Sequence, residues 1–368
     1  MTYFVLIYIL TYTFLLITFL LGGYSRLKRK NMEKGNYNKI KLEDLTVVIP
    51  FRNEENRLKG LLSSIQNSES HPISYIFVDD HSLDQSQSLI HKYLQGLKFE
   101  IVKLPKGTFG KKRALEKGIS IVKTNYVLTL DADVVFETNY LNELSNLKEC
   151  DLTILPVQYE HKNYFNGFLQ QDVVLASLMN VAISGWKRPV LCSGANLLFS
   201  KESYLKCIKN SNYFDLDSGD DVFLMRAFQQ ENLLIDVHYK NKLSVSTSIP
   251  EEITDFFHQR LRWIGKSKKV GDKLSNVLAF SQFFLSVVNW LIIITLFTYL
   301  QLNQFITFLI LKNAVEWACT FSYYRDINKL NLWVLVPIYI LLLPLTNLII
   351  IVSSFFVKPR WKNRLIVQ

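Results

Sequence analysis

Cysteine is scarce in this chain. Its 368 residues include four, Cys150, Cys192, Cys207 and Cys319, with no CxxC spacing and no histidines gathered at metal-ligand spacing. That pattern argues against a disulfide framework or a zinc site and reads as reduced cytosolic thiols. Internal repeats and low-complexity segments are absent from the polar centre of the chain, which reads as one sizeable domain. A Walker A loop is absent as well. In GTFGKKRALEKG, Pro105 stands where the first glycine of GxxxxGK[ST] belongs, and Lys112 where the Ser or Thr belongs. Long apolar runs, by contrast, are plentiful and lie at the two ends.

The first run, residues 3–23, has roughly the 20 residues needed to cross a ~30 Å hydrocarbon core. Basic residues follow it, in RLKRKNMEK, whereas a signal peptide carries them in front. The expectation is an uncleaved transmembrane anchor (1–24) and a basic cytoplasmic linker (25–37), with the chain from Arg26 onward inside by the positive-inside rule. Near the other end come NVLAFSQFFLSVVNWLIIITLFTYL, FITFLILKNAVEWACTFSYY and LWVLVPIYILLLPLTNLIIIVSSFF. Each is long enough to span, although Lys312 and Glu316 weaken the middle one. Three spans put the basic tail (358–368) outside, against the same rule. Either the last run is a hairpin broken near Pro344 or one run is interfacial. The net charge of +10 is concentrated beside these runs, at 26–34, 266–273 and 358–364. That placement fits a lipid bilayer surface and speaks against nucleic acid as a partner.

The polar block between the ends alternates in character. DLTVVIPF, ISYIFVDD, FEIVKL and YVLTLDAD read as strands, and the segments between them carry helical spacing, as at Leu58, Leu61, Leu62 and Ile65. Asn53 and Ser82 are expected to cap the first two helices. Such alternation predicts a doubly wound α/β domain with a parallel sheet, here residues 38–248. An interfacial helix (249–275) and C-terminal transmembrane helices (276–357) follow.

Ligands on such sheets bind beyond the carboxyl ends of the strands. There the sequence places Arg52, Asn53 and Glu54, then Asp79 and Asp80, then Asp131 and Asp133. A pair of hard oxygen ligands such as Asp131 and Asp133 suits Mg²⁺ or Mn²⁺ bridging to phosphate. Asp80 can accept from a nucleobase N–H or a ribose hydroxyl, or can belong to a helix start. Lys111 or Lys112 can touch a diphosphate, or form a solvated basic turn. Asp220 and Asp221 precede a helix built on Phe223, Leu224 and Phe228, where a carboxylate caps or serves as general base. In EEITDFFHQRLRWIGKS, Phe256, Gln259 and Trp263 share a helical face with Arg262 beside them. A guanidinium fork suits diphosphate oxygens, and a tryptophan there also suits a membrane interface.

Taken together, Asp80, DAD, GDD and QRLRW resemble the D, DxD, [ED]D, Q(Q/R)xRW series of the membrane-bound family 2 glycosyltransferases. PFRNEE, VDDHS and FGKKRALEKG are similar to that family's PxxNEE, VDDxS and GKxxALxxG, so the likeness runs from about residue 45 to 266. Ceramide and carotenoid-ester glucosyltransferases, and cellulose and poly-N-acetylglucosamine synthases, share this plan. The resemblance implies a GT-A, Rossmann-like domain with one N-terminal and about three C-terminal transmembrane helices. It implies a nucleotide-sugar donor, UDP-linked by the resemblance with GDP left open by the residues themselves, whose base is held by Asp80 with Pro50, Arg52 and Glu54 near the nucleoside. Lys111 then lines the nucleotide pocket, Asp131 meets the ribose or donor sugar, and Asp133 ligates the metal. Gln259 and Arg262 bind the diphosphate, Asp221 is the general base, and Asp220 and Trp263 lie on the acceptor side. Inversion at the sugar is implied too. Asp220 stands in place of the more usual Glu, and His81 in place of the Gly of VDDGS.

Two outcomes fit these residues. One is transfer of a single sugar to a membrane lipid at the cytoplasmic face of a bacterial inner membrane, with Lys266, Lys268 and Lys269 against anionic headgroups. The other is processive synthesis of a β-linked polysaccharide. About four spans with few polar residues, chiefly Asn289 and Asn347, make a poor conduit for a polymer. The same scarcity of charge argues against a transporter.

Overall fold

The computed structural model describes residues 2–32, 38–161, 163–210, 220–250, 252–270, 272–299, 302–357, 360–361 and 364–365. Within helices, the side chains of stretches such as 2–9, 27–32 and 266–270 lie outside that description, and so does that of Asp220. The chain forms two compact units: Lys28–Glu160 with Lys187–Ser248, and Met1–Leu27 with His161–Trp186 and Ile249–Gln368.

Among the described residues, the unit containing Lys28–Glu160 has nine strands: β1 (Leu45–Phe51), β2 (Ser74–Asp79), β3 (Phe99–Lys103), β4 (Tyr126–Leu130), β5 (Leu152–Ile154), β6 (Val157–Glu160), β7 (Asn196–Ser200), β8 (Ile235–Val237) and β9 (Val245–Ser248). Seven form one sheet in the order β3-β2-β1-β4-β7-β5-β8, and β6 pairs with β9 in a second. β1 is buried at every position, as expected of a strand covered on both faces. It pairs in parallel with β2 on one side and β4 on the other. The expectation of an all-parallel sheet needs correction, because β7 runs antiparallel between β4 and β5. The sheet is therefore mostly parallel.

Helices pack on this sheet through the predicted apolar faces. The helix Leu58–Gln66 buries Leu58, Leu61, Leu62 and Ile65. The helix Lys111–Ile121 buries Ala114, Leu115, Gly118 and Ile119. Gly118 lets it approach closely, since a Cβ there would stand 2.5 Å from Val48 Cγ1 and 2.9 Å from Val78 Cγ2. The chain passes from β1 to β2 to β3 on one side, then returns past β1 to β4. The crevice beyond the carboxyl ends of β1 and β4 is thus a topological switch point, where such sheets bind ligands.

The second unit is helical. Its long elements are Thr2–Met32, Ile253–Val270, Lys273–Thr298, Leu302–Asp326 and Val336–Ser353. Among the described residues two helices, Lys273–Thr295 and Val336–Ser353, are long and apolar enough to cross a membrane. Of the two alternatives for the C-terminal runs, the hairpin broken near Pro344 is not found: the helix Val336–Ser353 runs through that proline. Tyr12 donates to Glu316 Oε1 at 2.6 Å, which gives the carboxylate of the weakened middle run a partner.

Candidate active site

Two loops interlock beyond the ends of β1 and β2. The backbone of Asp80 donates to the Phe51 carbonyl at 2.9 Å, carrying the pairing one step past the strands. Asn53 and His81 both adopt left-handed backbone, with φ of 49° and 58°. Asn and His are among the non-glycine residues that tolerate it. The Asn53 N–H donates to Ser82 Oγ at 3.1 Å, and Asn53 Oδ1 accepts from the Leu83 N–H at 2.8 Å. The Glu54 N–H donates to Ser86 Oγ, and the Glu55 N–H to Asp84 Oδ2.

These bonds correct the capping expectation. The helices start later, at Leu58 and Ser86, without side-chain caps. Asn53 and Ser82 join loop to loop instead. Hydrogen bonds from Ser86 and from the Glu55 backbone, working against burial, leave the Asp84 carboxyl below its ordinary value.

The adjacent aspartates divide their work. Asp79 is buried and accepts from the Ser82 N–H at 2.8 Å and from Gln87 Nε2 at 2.6 Å, so its oxygens shape the turn. Asp80 is different. Its side chain is 10% exposed, and Oδ2 accepts from the Gly110 N–H at 3.0 Å with Arg52 Nη1 at 3.6 Å. Its Oδ1 is buried and has no hydrogen-bond partner among the described residues.

The carboxylates after β4 each meet a cation. Lys111 Nζ lies 2.5 Å from Asp131 Oδ1, and Arg57 Nη1 lies 3.1 Å from Asp133 Oδ2. Arg57 Nη2 also reaches Glu54 Oε2 at 2.6 Å, so one guanidinium joins the loop after β1 to the loop after β4. Sequence alone gives Arg57 no role beyond its i,i+3 spacing from Glu54. Lys112, the alternative to Lys111, is buried. Pro50 lies within β1, opposite Val78 of β2. Among the described residues no three His, Cys, Asp or Glu side chains gather as a metal cage. The protein supplies two hard carboxylates close in sequence, Asp131 and Asp133, which fits a cation completed by phosphate and water.

Asp221 lies in the first turn of the helix Asp220–Gln230, and the DLDSG segment before it falls outside the described residues. Its Oδ2 accepts from the Gly194 N–H at 3.3 Å. The Gly194 carbonyl in turn accepts from Thr129 Oγ1 at 3.0 Å, two residues before Asp131.

Gln259, Arg262 and Trp263 belong to the helical unit, on the helix Ile253–Val270. There the structure singles out Arg260, to which the sequence alone assigns no role. Its guanidinium forks onto Asp172, with Nη2 2.8 Å from Oδ1 and Nε on Oδ2. Nη1 donates to Gln259 Oε1. The Phe256 and Trp263 rings lie 4.0 and 4.3 Å from the guanidinium carbon. Arg260 is therefore a buried hub that contacts its motif neighbours Gln259 and Trp263. The proposed headgroup contacts of Lys266, Lys268 and Lys269 fall outside the described side chains.

Comparison with known sequences assigns the family. The description Glycosyl transferase family group 2 matches residues 126–351, over half of the chain, and Glycosyl transferase family 2 matches 46–197. The chain belongs to the family 2 glycosyltransferases. Among its relatives, the poly-beta-1,6-N-acetyl-D-glucosamine synthase of Staphylococcus epidermidis is 25% identical over 233 residues, 60% of this chain and 54% of that protein. The 4,4'-diaponeurosporenoate glycosyltransferase of Staphylococcus aureus (strain USA300) is 30% identical over 129 residues, 34% of each chain. This glycosyltransferase thus spans about half or less of the length of these curated relatives. Its fold is shared with the mannosyltransferase PcManGT from Pyrobaculum calidifontis, solved in complex with GDP-Man and Mn2+. That structure superimposes with a TM-score of 0.51 at 14% identity, covering 90% of this chain and 97% of the other.

Proposed function

We propose that this glycosyltransferase moves a sugar from a UDP-linked donor to the hydroxyl of a membrane lipid, with inversion, at the cytoplasmic face of a bacterial inner membrane. The observation that carries the reading is the set of ion-paired carboxylates at a topological switch point, beside Asp80 with its unpartnered Oδ1. Asp80 accepts from the base, with Pro50, Arg52 and Glu54 around the nucleoside. Lys111 lines the nucleotide pocket and Asp131 meets ribose or sugar. Asp133 holds Mg²⁺ or Mn²⁺, which when bound offsets diphosphate charge. Family resemblance adds Gln259 and Arg262 at the diphosphate, and Trp263 and Asp220 on the acceptor side.

Chemically, Asp221 takes the proton from the acceptor hydroxyl as its oxygen bonds to the sugar C1. The C1–O bond to the diphosphate breaks, and the nucleoside diphosphate leaves with the electron pair. A well-placed general base contributes about 10²–10⁴-fold. The two membrane-length helices support a lipid acceptor. The broader match to a polysaccharide synthase, over 60% of the chain, supports a second reading, processive synthesis of a β-linked polymer.

The test uses membranes containing the full chain, Mn²⁺ or Mg²⁺, and a panel of labelled nucleotide sugars, with Asp221→Asn alongside. Label in a small solvent-extractable glycolipid, reduced at least a hundredfold by Asp221→Asn, is the expected result. Label in immobile high-mass material selects the polymer reading. Undiminished transfer by Asp221→Asn removes Asp221 from the role of base.

A further inference from the structure

One feature of the VDDHS loop to which the motif series assigns no role surrounds His81. Its backbone sits at φ 58°, in the left-handed region that glycine adopts freely. Strain of this kind persists where its surroundings hold it and is a reason to look for function. Here the loop before the helix Lys111–Ile121 holds it. His81 Nε2 is 3.0 Å from the Thr108 carbonyl oxygen, and its ring lies 4.9 Å from that of Phe109 at a 49° tilt. The next residue, Gly110, donates its N–H to Asp80 Oδ2. Three features therefore share one patch: a strained histidine, a phenylalanine ring, and a nine-tenths-buried carboxylate whose other oxygen is unpartnered.

Phe109 is 56% exposed despite its size. Burying that ring against His81 alone leaves over half of it in water, so the contact by itself is a poor account of the residue. A planar ring stacked on Phe109, with an N–H on its edge, satisfies both the exposed face and Asp80 Oδ1. We infer that the His81–Phe109 pair is the stacking platform for the donor's nucleobase, the base donating an N–H to Asp80 Oδ1. The platform selects for an aromatic base carrying a ring N–H, as uracil does, and contributes to holding the donor rather than to the chemical step. The inference rests on the donor reading above and gives a role to two residues, His81 and Phe109, that the resemblance leaves without one.

The experiment measures binding of UDP and of inorganic pyrophosphate to the purified full chain in detergent micelles by calorimetry. The variants are Phe109→Ala, Phe109→Trp, His81→Gly and Asp80→Asn. Base–aromatic stacking has a size that predicts about tenfold weaker UDP binding for Phe109→Ala and His81→Gly. Phe109→Trp keeps UDP affinity, Asp80→Asn loses it, and pyrophosphate affinity stays within about twofold throughout. His81→Gly is the control for folding, because glycine takes φ 58° without strain and thermal stability is not lowered. UDP binding by Phe109→Ala within twofold of wild type, with Asp80→Asn still deficient, overturns the platform and leaves the donor reading standing. A wild-type protein that binds no UDP, or an Asp80→Asn that binds it normally, overturns both.

Discussion

The fork between Arg260 and Asp172 predicts an asymmetry in stability. The Arg260 side chain is 5% exposed and that of Asp172 is 24%. Asp172→Leu strands a buried guanidinium whose remaining hydrogen-bond partners among the described residues are the neutral oxygens of Gln259 and Leu169. Removing one member of a buried pair in this way costs about 3–5 kcal/mol. Arg260→Met leaves a carboxylate near enough to solvent to recover hydration, and the methionine stem still packs between the Phe256 and Trp263 rings. Its losses are the cation–π contacts and a partly exposed ion pair, together about 1–2 kcal/mol. The double variant, with an apolar pair in place of the ions, returns close to wild type. Thermal and denaturant unfolding of the four proteins in one detergent, followed by tryptophan fluorescence, measures the cycle. Arg260→Met falling as far as Asp172→Leu, or a double variant less stable than Asp172→Leu, refutes the reasoning.

Three further outcomes follow from the sheet unit. Gly118→Ala puts a methyl against Val48 and Val78, both buried and β-branched, so overpacking of about 1–3 kcal/mol outweighs alanine's better helix propensity and lowers the denaturant midpoint. The Asp84 carboxyl sits below its ordinary value of 3.8, so its ionised form stabilises the fold above that pH, and the benefit fades as pH falls through the lower, folded value. The melting-temperature gap between wild type and Asp84→Asn is accordingly widest near neutrality and closes below about pH 4; a gap that widens on acidification contradicts this. Cys207 is buried, and burial, with the Glu231 charge, pushes its thiol from 9.0 up to about 12. At pH 8 it carries about a thousandfold less thiolate than an ordinary thiol, so alkylation detected by peptide mass spectrometry requires unfolding first.

Much of the sheet is legible in the chain because β1 and its neighbours are short apolar runs bounded by polar clusters. The antiparallel β7 is not, since NLLFS has no local feature that tells one strand direction from the other. Its orientation is set by pairing with Leu152–Ile154 and Tyr126–Leu130, distant in sequence. The caps assigned to Asn53 and Ser82 fail for a related reason. Local preference marks both as helix starters, yet their polar atoms find better partners in each other's loop. Pro344 reads as a helix breaker, but a long apolar helix continues through it.

At the candidate site, strand position and charge partner separate cleanly. That carboxylates stand after β2 and β4 follows from where the apolar runs end. Which cation each one meets does not. Arg57 reaches across from the loop after β1 to Asp133, and Arg260 reaches Asp172, 88 residues away in sequence. Neither pairing follows from spacing, because each depends on how separate segments pack. The same logic separates Asp79 from Asp80. Adjacent and identical in type, they point to opposite faces of the strand end. One has its oxygens taken by Ser82 and Gln87, whereas the other keeps a buried oxygen with no partner among the described residues. A buried carboxylate oxygen without a donor is costly, and a ligand N–H removes that cost on binding. On the proposed donor reading, Asp80→Asn therefore weakens UDP binding, whereas Asp79→Asn acts through the turn it shapes.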